Sequence, residues 1–164
     1  MRLRGYGLCS SAGKGGMVKV SGKKRAILKK KGGSSLFNGI PPNLPSLWRA
    51  YLLTKRASQV GFDWPNLNGI LEKLDEELKE FRETLISHNR KRIREEFGDL
   101  LFVLTNIARF LRINPEEALK RTIEKFMVRF HYIEKTLRRR GKNLHQSNLI
   151  EMDRLWEEAK KITK

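Results

Sequence analysis

The chain has 164 residues, 39% hydrophobic and 32% charged, with a net charge of +17. That is enough for one globular, soluble domain with its own core, and no apolar run approaches the roughly 18 residues a membrane span needs. Its single cysteine, Cys9, excludes a disulfide framework and a cysteine metal site, and fits a reducing, cytoplasmic setting.

The charge is unevenly placed. Residues 1–38 hold ten Lys/Arg and no acid, which leaves 25 basic against 18 acidic residues in 39–164. This first segment also carries eight of the thirteen glycines and no sustained period, so it reads as mostly disordered, with a short helix over "KKRAILKKK". It has no apolar stretch for a secretory signal, and its glycines spoil the amphipathic helix of a transit peptide. "GLCSSAGKGG" is not a P-loop, because the glycine spacing is wrong and no Ser or Thr follows the Lys. Its cations give a nucleic acid a route of purely electrostatic binding.

From residue 39 the chain changes character. "IPPNLPSLWRAYLLTKRASQVGFDWP" predicts a Pro-rich lead and a helix over about 45–60, ended at Gly61. Residues 67–86 carry Ile70, Leu74, Leu78, Phe81 and Leu85 at helical spacing. After the polar break "SHNRK" a third helix spans about 91–111, with Phe97, Leu100, Leu104, Ile107 and Leu111. "INPEEAL" opens a fourth: Asn114 is the N-cap, Pro115 takes the first helical position, and Glu116 and Glu117 face the positive end of the dipole. That helix runs to about 140, stopped by Gly141, and a last one spans about 148–161. No segment alternates as a strand. The expected fold is an all-α bundle of about five helices over residues 39–164.

Carboxylates stand where apolar residues belong. At about 100° per residue, with Glu96 at 0°, Leu100, Val103 and Ile107 fall within about 40° of it and Asp99 about 60° away. With Glu77 at 0° on the second helix, Ile70 and Phe81 fall beside it and Glu80 about 60° away. Two helices therefore repeat one pattern, an acid in the apolar stripe and another three residues on. A carboxylate facing an interior loses hydration worth several kcal/mol, and several together repel, so a cation is the economical partner. With no Cys nearby and no His at the i+3 positions, the oxygen-only set points to Mg²⁺, with Mn²⁺ as the alternative. Solvated i,i+3 acid pairs are common on ordinary helices, and it is the matched placement of two pairs that argues otherwise. Lys125 and Arg129 on the fourth helix, and Trp156 and Lys160 on the last, repeat an i,i+4 spacing; the cations suit phosphates beside such an ion, and Trp156 suits stacking on a base or covering the core. His88, His131 and His145 are isolated and carry no assignment.

"KLDEELKEF", "REEFGDLLFVLTNIARFL", "INPEEALKRTIEKFMVRFHYIEK" and "LIEMDRLWEEAKK", with the lead quoted above, resemble the C-terminal catalytic domain of the MazG-type nucleoside triphosphate pyrophosphohydrolases over about residues 39–164. The resemblance implies an all-α, dimer-forming, Mg²⁺-dependent enzyme that splits a nucleoside triphosphate into monophosphate and pyrophosphate. It places metal ligands at Glu77, Glu80, Glu96 and Asp99, and nucleotide contacts at Glu76, Arg92, Glu95, Lys125, Arg129, Trp156 and Lys160. Glu76 and Glu95 are the candidates for taking the proton of the attacking water. Arg92 stands where the family commonly has Lys, which keeps the charge and alters the geometry. Longer members carry two such domains, and "KKKGGSSLFNGIPPNLP" resembles the linker between them. A catalytically degenerate, basic nucleic-acid-binding or regulatory protein is the competing expectation.

Overall fold

The computed structural model describes residues 35–163; the basic, glycine-rich stretch up to residue 34, with its expected short helix, lies outside them. Five α-helices follow in order: α1 Ser46–Gln59, α2 Leu67–Ser87, α3 Arg90–Phe110, α4 Pro115–Arg139 and α5 Leu149–Ile162. No strand occurs among the described residues. The lead before α1 is a set of turns, held to the helix by Arg56, whose Nη1 donates to the carbonyl oxygens of Leu36 and Asn38. The polar break between α2 and α3 contracts to His88 and Asn89, with His88 in the left-handed region at φ 51°. A single 3-10 turn, Leu144–Gln146, precedes α5.

Asparagine starts four of the five α-helices. Asn66, Asn89, Asn114 and Asn148 each accept from backbone N–H groups of the first turn of α2, α3, α4 and α5, meeting donors that a helix leaves unpaired at that end. Pro45, at the head of α1, has no such side chain. There the cap comes from across the fold: Glu116 Oε1 of α4 accepts from the Leu47 N–H at 3.1 Å.

Packing divides the helices into two groups. α3 lies centrally against α2 and α1, while α5 packs on α4, and α4 in turn touches α1 and α3. Ile70 of α2 and Val103 of α3 are fully buried in the first group. Ile133, Leu137, Leu155 and Ala159 form the core of the second, with Phe130, Tyr132, Met152 and Trp156 packed against it. Glu151 closes the turn between α4 and α5 by accepting from Lys142, Arg140 and Ser147.

The first group buries an unusual share of polar side chains: Thr54, Lys73, Glu77, Thr84, Thr105 and Asn106. The three threonines satisfy themselves locally, since each hydroxyl donates to a carbonyl one turn back, at 3.0, 2.7 and 2.8 Å. Such back-bonding removes the penalty of a buried hydroxyl without reaching another helix. Lys73 and Glu77 meet each other one turn apart instead of a backbone carbonyl.

Meanwhile much apolar surface stays open. Along the first half of α4, Leu119, Ile123, Phe126, Met127 and Val128 are all exposed, as are Phe97, Leu104 and Leu111 of the predicted α3 stripe. Leu155 is the test of the second core: Leu155→Ala should cost about 2–5 kcal/mol in urea unfolding followed by circular dichroism. A loss under about 1 kcal/mol would contradict this packing.

Candidate metal and nucleotide site

The carboxylates of α2 and α3 meet. Glu77, Glu96 and Asp99 each offer an oxygen, and these oxygens lie within 4.8 Å of one another. Glu77 stands at the middle of α2, and Glu96 and Asp99 in the second and third turns of α3; two consecutive helices packed on each other across a short loop bring these levels together. Glu77 is 1% exposed, and Glu96 and Asp99 are half-buried. Glu80 lies on an exposed face outside this group of three.

Glu77 is the unusual member. Its Oε1 takes the ammonium of Lys73, one turn back on α2, at 2.8 Å, while Lys73 also reaches Glu76 Oε1 at 3.1 Å. Its Oε2 is buried with no hydrogen-bond partner, alone among the buried side-chain oxygens and nitrogens of the described residues. A charged oxygen left bare in an interior is costly, and native structures leave few such atoms without a reason. Here the bare oxygen belongs to the residue that shares a pocket with two further carboxylates.

The electrostatics agree. Burial pushes the Glu96 carboxyl above its ordinary value near 4.5, and the charges of Glu80, Glu77 and Asp99 push it further, against a smaller opposing pull from Arg92. Glu80, though outside the triad, thus acts on it through its charge. Burial lowers the affinity of Lys73 for its proton, but hydrogen bonds and charge from Glu77 and Glu76 outweigh it, so the ammonium is held above its usual range. The pocket holds more negative charge than Lys73 alone balances. An all-oxygen donor set with surplus negative charge fits a hard divalent cation.

The remaining residues divide between this pocket and the α4–α5 pair. Glu76 is exposed beside Lys73, and Glu95 is exposed 3.9 Å from Lys91. Arg92, in the first turn of α3, is exposed one turn before Glu96. On α4 and α5, Arg129 stacks its guanidinium 5.6 Å from the centre of the Trp156 ring and donates from Nε to Thr163. Trp156 also lies against Phe126, at 5.3 Å between ring centres. Lys125 is exposed, and Lys160 pairs with Glu157. The structure thus places the acids and Arg92 on one helical pair, and Lys125, Arg129 and Lys160 on the other.

Lys73 and Asn106 are polar residues of the interior that the sequence reading passed over. With Glu77 at 0° Lys73 falls about 40° away, and with Glu96 at 0° Asn106 falls about 80° away. A lysine one turn before a stripe acid was the available signal for the first.

Five helices without a strand, around an acidic pocket between the second and third, define an all-α domain of the kind that gathers carboxylates on neighbouring helices. Residues 66–133 match the model of the MazG nucleotide pyrophosphohydrolase domain. The chain is 41% identical over 136 residues to the nucleoside triphosphate pyrophosphohydrolase/pyrophosphatase MazG of Thermotoga maritima, covering 83% of this chain and 52% of that protein. It is 36% identical over 131 residues to the nucleoside triphosphate pyrophosphohydrolase of Escherichia coli K12, covering 77% of this chain and 49% of that protein. A segment of 73 residues is 53% identical to part of the Bacillus subtilis protein YabN. The protein carries a MazG domain, as the resemblance implied, and it spans about half the length of the two pyrophosphohydrolases.

The repulsion at Glu96 has a direct readout. Its folded-state value is raised, so its contribution to stability is present below about pH 4.5 and is lost as pH rises through the raised value. In EDTA at pH 7, Glu96→Gln should therefore raise the melting temperature relative to wild type, and the gain should vanish near pH 4. With millimolar Mg²⁺ or Mn²⁺ the order should reverse, because the wild type gains the ion's binding energy. A variant less stable than wild type in EDTA at pH 7 would contradict the repulsion.

Proposed function

We propose that the chain hydrolyses nucleoside triphosphates, ribo or deoxy, to monophosphate and pyrophosphate with Mg²⁺, or Mn²⁺ in its place, in nucleotide-pool house-cleaning. The observation that carries this reading is the buried Glu77, one of its oxygens without a partner, in a pocket shared with two further carboxylates. The names of the Thermotoga and Escherichia relatives supply the reaction.

Glu77, Glu96 and Asp99, with Glu80 beside them, would hold the ion. When bound it supplies charge neutralisation of phosphate oxygens and acidifies water. Lys73 keeps Glu77 oriented by occupying one of its two oxygens. The attacking water forms a bond to the α-phosphorus while the bond from that phosphorus to the bridging oxygen breaks, and pyrophosphate departs with the electron pair. Glu76 or Glu95 takes the water's proton. Lys125, Arg129 and Lys160 bind the departing phosphates, Arg92 holds the nucleotide at the head of α3, and Trp156 keeps Arg129 in place through its ring.

The acids sit on α2 and α3 while Lys125, Arg129 and Lys160 sit on α4 and α5, and α4 leaves an apolar face open. Both facts favour a homodimer in which α4 and α5 of one copy complete the pocket of the other. Burying that face would contribute roughly 25 cal/mol for each Å² of apolar surface removed from water. Light scattering at micromolar concentration should give twice the chain mass, and an active monomer would contradict this part of the reading.

The ten cations of residues 1–38 keep one alternative in view, a nucleic-acid-binding or regulatory protein with an idle catalytic domain. A panel of NTPs and dNTPs with Mg²⁺, with monophosphate and pyrophosphate read separately, decides between them. Glu77→Ala or Asp99→Ala should lower pyrophosphate release at least about a hundredfold with helicity retained. Retained turnover would refute the site. Salt-sensitive RNA or DNA binding that disappears without residues 1–38, in a chain with no hydrolysis, would establish the alternative.

A further inference from the structure

The excess positive charge of residues 39–164 is gathered at the turn that joins α4 to α5. Residues 135–150 contain Lys135, Arg138, Arg139, Arg140 and Lys142 and no Asp or Glu. Outside that run, residues 39–164 hold 20 basic against 18 acidic residues, which is nearly balanced. All five cations are exposed. The carboxylates that border the run are engaged: Glu134 lies 3.4 Å from His131, and Glu151 holds Arg140 at 3.3 Å and Lys142 at 3.1 Å.

Helix geometry lays three of these cations in one row. With Lys135 at 0°, Arg138 and Arg139 fall at about 300° and 40°, while the buried Ile133 and Leu137 fall at about 160° and 200°. The row therefore looks away from the core. Arg138 and Arg139 stand in the last turn of α4, where cations complement the carbonyl end of the dipole. That accounts for two residues, but not for Lys135 a turn earlier or for a run that stays free of acids as far as α5. Glu151, in the first turn of α5, ties Arg140 and Lys142 beside the row and extends it around the turn.

The patch stands apart from the cations assigned to the nucleotide. Arg138 is nine residues beyond Arg129, about 14 Å along α4 at 1.5 Å per residue, and Lys160 lies near the other end of α5. Arginine presents paired donors that match phosphate oxygens. A nucleic-acid duplex carries about one charge per 1.7 Å of its axis, so the roughly 6 Å from Lys135 to Arg139 faces several phosphates at once. Leu149 and Ile150, exposed at the start of α5, are what a lipid surface would take up instead, but they lie outside the row.

We infer that the α4–α5 turn binds the sugar–phosphate backbone of a nucleic acid without reading its bases. This surface belongs to the folded domain, and it needs neither residues 1–38 nor the hydrolysis proposed above. The test uses the full chain, with anisotropy of a labelled DNA duplex and of a labelled single-stranded RNA followed across KCl concentrations. Each cation lost from such an interface lowers the slope of log affinity against log salt by about 0.9 for the duplex and about 0.7 for the single strand. Lys135→Ala/Arg138→Ala/Arg139→Ala should therefore lower it by about 2–3 and weaken binding at least about tenfold near 0.1 M salt, with NTP hydrolysis unchanged. Arg138→Lys/Arg139→Lys should keep the slope of the wild type. Lys55→Ala/Lys120→Ala/Lys161→Ala, which removes as much charge from exposed positions elsewhere, should change it by less than about 1. Equal losses in the two alanine triples, an unchanged slope in the first, or no binding of either nucleic acid would each overturn the assignment. Hydrolysis lost together with binding would place the row in the nucleotide site and overturn it too. Sedimentation with phosphatidylglycerol vesicles that is lost in Leu149→Ser/Ile150→Ser, without nucleic-acid binding, would give the surface to a lipid. Backbone binding through this row in a chain that hydrolyses nothing would leave the inference standing and remove the reaction.

Discussion

One carboxylate is surrounded on two sides, and the rest of the site depends on it. Glu77 gives its Oε1 to Lys73 and keeps its Oε2 buried and bare. If Lys73 satisfied both oxygens, the pair would be an ordinary buried ion pair, a weak contributor to stability. Because only one is satisfied, the side chain is oriented and still carries an unmet charge. Glu96 and Asp99 then add charge of the same sign instead of relieving it. Such an arrangement is poor for the stability of the empty fold and well suited to binding a doubly charged ion. Sites that bind charge tightly tend to be strained in this way before the ligand arrives.

The fold separates the tasks. α1, α2 and α3 form one packed unit in which local hydrogen bonds quiet the threonines, a cross-fold Glu116 caps α1, and Arg109 clasps Asp63 in the loop before α2. α4 and α5 form another unit, closed by Glu151 and filled by Leu137, Leu155 and the aromatics. The first unit holds the acidic pocket with Arg92 beside it, and the second holds Lys125, Arg129 and Lys160, proposed to meet phosphate. The exposed side chains of α4 form an apolar face larger than a scattering of single residues, and faces of that kind mark interaction surfaces.

Much of this was legible in the amino-acid order because it is periodic. The 3.6-residue repeat located all five helices to within a residue or two, and it showed Glu77 and Glu96 standing among apolar neighbours. The start of α4 was readable because Asn114, Pro115 and two glutamates act within a single turn. Asn66, Asn89 and Asn148 do the same work at helices whose starts carried fewer signals around them. What escaped was non-local or involved the other sign of charge. Asp63 and Arg109 are 46 residues apart, and nothing in either segment announces the other. Lys73 was hidden because a lysine is read as solvated by default, although the acid one turn later was already placed inside. The open half of α4 was likewise invisible, since periodicity marks an apolar face without saying what covers it.

The central claim is that the bare Glu77 oxygen and its two neighbours form a divalent-cation site. Crystals grown in Mn²⁺, with diffraction recorded on both sides of the manganese absorption edge, address it without reference to any reaction. The account predicts an anomalous peak in contact with Glu77, Glu96 and Asp99. A peak elsewhere, with Glu77 Oε2 found bonded to a protein donor, would contradict it.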